Sequence, residues 1–336
     1  MRNRNRLIVG ISVLFVWVAF HCSASATSFD CTKAATPREK LICGDPVLSD
    51  LDDQLGRTYR ERKALLSPRG AEMLQRSEHG WLKYVSTVCP IGGAVKAEIF
   101  QSPENCLTRE YQDRVKHLAE AGKKVGPFVF NRIDLYSAVP SNDKFGARFG
   151  FLTQHAAFPQ IDSPLSPNAE AWNRKQAQSL PLAGDCGDGD YVADYNLDFA
   201  SERLISVQTN FYEYCHGAPH GMGWGKVENT VLSPTQRPLK AEDLFGADAE
   251  WRPKRQKLFW DTLAATGWRP PDGLQESIRQ QMDERFIDPA SWTLTQDGIQ
   301  ISFGSYEGGC YACTPQPVTV PWRALKPLLS TDAVAP

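Results

Sequence analysis

Long apolar runs are scarce in this chain, and so is any excess of one charge. Its 336 residues carry 37 Lys and Arg against 39 Asp and Glu, a net of −2. That balance supplies no cationic field for phosphate, which excludes nucleic acid as an expected partner. One charge-free apolar stretch, Leu7 to Phe20, spans fourteen residues, short of the ~20 that a membrane-crossing helix needs. No Gly-x-Ser-x-Gly, no His-Glu-x-x-His and no phosphate-cradling glycine loop occurs. The usual nucleophilic, zinc-peptidase and nucleotide chemistries therefore have no local signature. Asp52-Asp53 are neighbours on a helix, where adjacent carboxylates diverge. Internal repeats and low-complexity tracts are absent as well.

What is present is ordinary globular material, 42% hydrophobic and 23% charged, with nine cysteines. Arg2, Arg4 and Arg6 precede the apolar stretch, and Ser23-Ala24-Ser25-Ala26 follows it. This is the layout of a secretory signal, with cleavage expected after Ala26. Export to the periplasm or the medium is thus the expected localisation, with no membrane span after cleavage. Cleavage removes three arginines, shifting the net charge from −2 to −5, and it removes Cys22. Eight cysteines remain: Cys31, Cys43, Cys89, Cys106, Cys186, Cys215, Cys310 and Cys313. An even number in an exported chain reads as up to four disulfides, whose connectivity the sequence leaves open.

Past the signal the periodicity changes once. Residues 28–124 read as helical: Thr36-Pro37-Arg38-Glu39 is a capping box with proline at the first helical position. Leu48, Leu51, Leu55 and Tyr59 mark a second helix, Leu74, Trp81, Val85 and Val88 a third, and Leu107, Tyr111, Val115 and Leu118 a fourth. An antiparallel hairpin of the second and third helices brings Cys43, Cys89 and Cys106 to one end of the bundle. Residues 128–330 alternate instead. Strands are expected over Tyr195–Phe199, Leu204–Phe211, Val227–Leu232, Trp292–Leu294, Ile299–Phe303 and Val318–Val320, with helices near Asn168–Leu180, Arg255–Thr266 and Leu274–Arg285. The expected fold class is mixed: a small disulfide-stapled α-helical bundle, then an α+β domain with a mostly antiparallel sheet. Residues 27–125 carry a net +2 and residues 126–336 a net −7, so attraction to a cationic partner belongs to the second half.

The densest polar and aromatic cluster runs from Asn210 to Gly225 and includes Glu213, Tyr214, His216, Pro219, His220, Met222 and Trp224. Its glycines allow close backbone approach, and its Tyr, Met and Trp are types enriched at protein interfaces. With Tyr306, Glu307 and Tyr311, these are the candidate partner-binding residues. His216 and His220 could instead ligate a metal, but Gly217-Ala218-Pro219 between them forbids the helix on which that spacing works best. No metal and no cofactor is expected. Asp185 to Asp190 lacks the spacing of a calcium loop and reads as an acidic turn. Cys310-Tyr311-Ala312-Cys313 is preceded by Gly308-Gly309 and followed by Thr314-Pro315, a context for a structural disulfide rather than for redox chemistry.

Two resemblances add to this. Phe29-Asp30-Cys31, Thr36 to Cys43, Leu48 to Leu55, Tyr59, Gln75-Arg76, Trp81-Leu82, Cys89 and Cys106 to Tyr111 resemble the N-terminal domain of LprI-type lysozyme inhibitors over roughly residues 28–120. The third helix departs from that pattern at Lys83 to Ser86. Phe158 to Ile161, Asn173, Tyr214, Gly217 to Gly221, Leu239 to Phe245 and Val318 to Trp322 resemble, in order, the extracellular domain of RsiV-type anti-sigma factors over residues 128–330. Pro219 interrupts the Gly-Gly-Ala-His-Gly usual in that family's loop. Both resemblances imply lysozyme as the partner. The expectation is a non-enzymatic exported protein that inhibits or sequesters lysozyme by steric occlusion of its cleft. The competing expectations are a metal-dependent envelope hydrolase using His216 and His220, and a peptidoglycan-binding or sensory module.

Overall fold

In the computed structural model of the chain, the described residues are 27–92, 102–141, 150–179, 184, 186–269, 276–304 and 306–335. The expected signal segment lies outside them. Four helices come first: α1 (Pro37–Gly44), α2 (Pro46–Ala64), α3 (Pro68–Val88) and α4 (Pro103–Ala119). Each starts the same way. A side-chain acceptor at the N-cap (Thr36, Asp45, Ser67, Ser102) takes a backbone N–H of the first turn, and a proline with no N–H of its own stands at the first helical position. Glu39 completes a full capping box on α1. The apolar stripes meet in one core, which includes Leu48, Leu55, Leu74, Trp81, Val85, Leu107, Tyr111 and Leu118. Trp81 packs edge-on to Tyr111 with ring centroids 5.1 Å apart. Disulfides Cys31–Cys43 and Cys89–Cys106 tie the incoming segment to α1 and the end of α3 to the start of α4.

A seven-stranded sheet follows, its strands in chain order: β1 (Lys123–Val125), β2 (Phe128–Pro140), β3 (Phe151–Ser163), β4 (Gly189–Ala200), β5 (Leu204–Cys215), β6 (Met222–Val231) and β7 (Arg237–Pro238). Every neighbouring pair is antiparallel except β3 and β4, which run parallel where Gln154–Ala156 faces Tyr191–Ala193. A parallel pair needs a crossover, and α5 (Pro167–Ser179) lies within it, its Trp172 buried against Phe130. The remainder comprises α6 (Glu242–Phe245), α7 (Trp251–Ala265), α8 (Glu276–Ile287), an antiparallel sheet of β8 (Thr293–Leu294), β9 (Gly298–Ile301) and β10 (Val318–Pro321), and α9 (Trp322–Leu325). It has its own aromatic core around Phe245, Trp251, Phe259, Phe286 and Trp292. The fold is thus mixed, helical with a mostly antiparallel sheet. None of the helices among the described residues is long and apolar enough to cross a membrane.

The strands anticipated from alternation are present with shifted ends. The long pair β2 and β3 was not anticipated. Their centres bury Asn131, Arg132 and Asp134 beside the apolar residues, so polarity does not alternate with exposure along them. That pair is where the helices dock. Ser67 donates through its backbone N–H and its hydroxyl to Asp162 of β3 (2.7 and 2.6 Å), and Asn131 of β2 donates to the carbonyl of Gly70 (3.0 Å). Farther along α3, the Ser77 hydroxyl donates to the carbonyl of Asp134 (3.1 Å).

Candidate functional site

Alternation places Asp134 and Tyr136 of β2, Thr153 and His155 of β3, Asp190, Val192 and Asp194 of β4, and Tyr212 and Tyr214 of β5 on the sheet face that α3 and α4 cover. The covered end of this face is a charge network. Asp134 is fully buried and accepts from Arg114 Nη1 (2.7 Å), Arg132 Nε (2.8 Å) and His155 Nε2 (3.0 Å). Arg114, on α4, also donates to Glu78 (2.9 Å), and Arg132 Nη1 pairs with Asp194 (2.8 Å) while its guanidinium lies over Tyr195. Burial alone would raise the carboxyl of Asp134. Arg132, His155 and Arg114 overcome that and hold it well below the usual range. The Tyr136 hydroxyl accepts from Arg114 (3.4 Å) and lies 3.3 Å from His117 Nδ1, while its ring stacks on His155 at 4.3 Å. Burial, then Arg132, lowers His117 to about 4, so at neutral pH its imidazole is uncharged and Nδ1 can accept the phenol proton.

His117, Asp134 and His155 are also the one set among the described residues whose possible metal-ligating atoms lie within 4.8 Å of one another. The surrounding charges fit a metal poorly. Both carboxylate oxygens of Asp134 are already taken by guanidinium groups, and a dication would stand beside Arg114 and Arg132. The charges of the cluster compensate one another, and its Arg114, His117, Tyr136 and His155 border the adjoining cleft.

Beyond this network the two layers part. A cleft of about 490 Å³ opens between α3 and α4 on one side and β2 to β5 on the other. Trp81, Tyr84 and Tyr136 form its inner end, Tyr212 and Tyr214 its outer wall, and Glu110, Asp113 and Asp190 supply carboxylates, with Arg109 at the helical edge. Asp190 accepts from the backbone N–H and the hydroxyl of Thr153 (2.8 and 2.6 Å) and lies 3.2 Å from His216 Nε2. Asp113 pairs with Lys116 at 3.0 Å. Desolvation, reinforced by Asp113 and opposed by Arg109, raises Glu110 to about 7.

The residues expected to bind a partner are sorted by the structure into two kinds. Glu213 is buried and accepts from the backbone N–H of Cys186 (2.7 Å), His216 is buried against Asp190, and Glu307 pairs with Arg285. Glu213 and His216 are thus turned into the structure, whereas Glu307 keeps part of its side chain exposed beside Arg285. Tyr214 is half-buried, donates to the Ala218 carbonyl (3.1 Å) and lines the cleft. Pro219, His220, Met222, Trp224 and Tyr306 are exposed, with Met222 and Trp224 on β6 rather than in a loop. The side chain of Tyr311 lies outside the described residues, as does Asp185. His216 and His220 do not share a ligand group, because His220 Nδ1 turns to the carbonyl of Gly221 (3.0 Å). Disulfide Cys186–Cys215 anchors the end of β5. Cys310–Cys313 closes locally around a single 3-10 turn.

Sequence reasoning missed Arg114, His117, Arg132, Asp134 and His155. They lie on α4, β2 and β3 and form no contiguous motif. The one local signal is Asp134 with Arg132, a charged pair two residues apart in a segment otherwise rich in Phe, Val and Ile.

No family model and no curated protein matches the chain. Among solved structures it is similar to a DUF3298 family member from Bacteroides fragilis NCTC 9343, at 17% identity and a TM-score of 0.40, over 62% of this chain and 96% of that one. A DUF3298 family protein from Pseudomonas aeruginosa PAO1 is similar at 13% identity and a TM-score of 0.38, over 61% of this chain and 96% of that one. The LprI-type and RsiV-type likenesses of the two halves rest on their sequence motifs alone.

Proposed function

We propose that this is an exported, non-enzymatic binding protein whose partner is a lysozyme, held so as to block the muramidase cleft. The observation that carries the reading is the outer end of the β5–β6 hairpin. Tyr212 (48% exposed) stands on one face of the sheet, and Met222 (62%) and Trp224 (42%) on the other, with Tyr306 (56%) exposed as well. Large side chains of these types, held at the end of a rigid hairpin, are what a protein interface uses as anchors. Phe211 stacks beneath Trp224 at 5.4 Å and holds the indole against the sheet. The −7 charge of residues 126–336 favours encounter with a cationic enzyme. Within the polar network the carboxylate and guanidinium groups are paired with one another.

Residues 27–336, purified with disulfides intact, are titrated into a bacterial lysis assay with several lysozymes, with and without chelator. Inhibition at micromolar protein, insensitive to chelator and at least tenfold weaker for Trp224→Ala, is expected. Absence of both inhibition and binding at that concentration sinks the reading. An activity of the protein itself that chelator abolishes replaces it with the metal-dependent hydrolase.

A further inference from the structure

We infer that the cleft between α4 and strands β3 to β5 is a binding pocket for a guanidinium or ammonium group, the seat of a basic side chain on the protein partner. The inference rests on the binding function just proposed and names the part of this chain that the partner enters.

Shape, walls and charge all lead to it. The volume, about 490 Å³, falls within the range of ordinary ligand pockets. Tyr84, Tyr212 and Tyr214 present aromatic surface on both sides, and an arginine or lysine head is attracted to such rings. Three carboxylates, Glu110, Asp113 and Asp190, contribute to the lining against two cations, Arg109 and an Arg114 already paired with Asp134 and Glu78, so the lining is net acidic. Asp113 has Lys116 and Asp190 has Thr153 and His216, but among the described residues neither a hydrogen bond nor a salt bridge reaches Glu110. A half-buried carboxylate without a partner is costly, and that cost disappears when a ligand brings the missing donor. A neutral sugar would supply hydroxyl donors but no compensating charge. A guanidinium supplies both, and its fork matches a carboxylate while its plane lies along a tyrosine ring. The raised Glu110 agrees with this picture: burial and the neighbouring Asp113 outweigh Arg109 of the same helix, and Tyr84 of α3 lies close enough to feel the Glu110 charge.

The test uses the full exported chain and two probes. In calorimetric titration at pH 8, N-acetyl-arginine methylamide is expected to bind saturably at millimolar concentration, with N-acetylglucosamine and N-acetylglutamate inert. The isosteric Glu110→Gln is expected to weaken it about tenfold, the loss of one charge-assisted contact. Affinity should fall between pH 8 and pH 6, as Glu110 takes up the proton that competes with the cation. Lysozyme binding should weaken about tenfold in the same variant and be competed by the arginine probe. The pocket is overturned if the probe does not saturate on the wild-type protein, if N-acetylglucosamine binds in its stead, or if Glu110→Gln binds probe or lysozyme as well as wild type does. Loss of the lysozyme reading alone shows differently: wild type then binds the arginine probe through Glu110 but no lysozyme, and the pocket stands for another basic partner.

Discussion

Two buried arginines show how context decides what a charge does. Arg114 has no exposed surface and is matched by Asp134 and Glu78, which keep its guanidinium firmly protonated against the cost of burial. Arg255 is equally buried, yet none of its nitrogens has a hydrogen-bond partner among the described residues. It lies instead among aromatic rings, with its guanidinium carbon 3.5 Å from the ring centroid of Trp292, and burial pushes its pKa well below the usual value. The same type of substitution should therefore act oppositely at the two sites. Asp134→Asn leaves Arg114 and Arg132 without their shared anion and is expected to cost about 3–5 kcal/mol. Arg255→Met removes an uncompensated charge and fills the space with apolar atoms, so stability is expected to stay level or rise. Urea unfolding of both variants checks the pair. A large loss at Arg255→Met would mean that the aromatic cage outweighs the desolvation, and no loss at Asp134→Asn would mean that the network is not structural.

At the scale of elements, the seam between α3 and the β2–β3 pair sets the depth at which the cleft begins. Gly70 allows it. A Cβ built there would stand 2.0 Å from Asp162 Oδ1, the carboxylate that holds both the backbone N–H and the hydroxyl of Ser67. Gly70→Ala is expected to displace Asp162, loosen the first turn of α3 and destabilise by about 1–3 kcal/mol. Gly80 on the same helix has open space around its Cβ position, so Gly80→Ala should stabilise by about 0.5–1 kcal/mol through helix propensity. Thermal melting of the two variants separates a contact at the seam from helix propensity, and equal shifts would refute the seam. The same elements show what was legible. The starts of α1 to α4 could be read because each pairs an N-cap acceptor with proline, two local signals that need no tertiary context. β2 could not, because Arg132 and Asp134 are buried by pairing with groups from α4, β3 and β4, and pairing across the fold leaves no periodic trace. The interior of the candidate site was illegible for that reason, whereas its hairpin rim, a contiguous run from Tyr212 to Trp224, could be singled out directly.

Over the whole molecule, the division of charge and the placing of the cleft make one argument. Read as sequence, the acidic excess belongs to the second half and the helical bundle to a near-neutral first half. Folded, α4 brings Glu110 and Asp113 to the face that carries Asp190, so acidic groups from both halves contribute to one concave surface. A cationic partner would then be drawn by the field of the whole second half and held by groups from both. Steering and holding respond differently to salt. Encounter between dispersed surface charges is screened once the Debye length, about 8 Å at physiological ionic strength, falls to about 3 Å at 1 M. A half-buried contact inside a cleft is screened far less. The association rate with lysozyme, measured by stopped flow on the disulfide-intact chain, is therefore expected to drop by roughly tenfold or more between 50 mM and 1 M salt, while the dissociation rate changes much less. An association rate indifferent to salt would remove the −7 surface from the recognition step. A dissociation rate that accelerates in parallel would place the holding contacts on the open surface, outside the tyrosine-walled cleft.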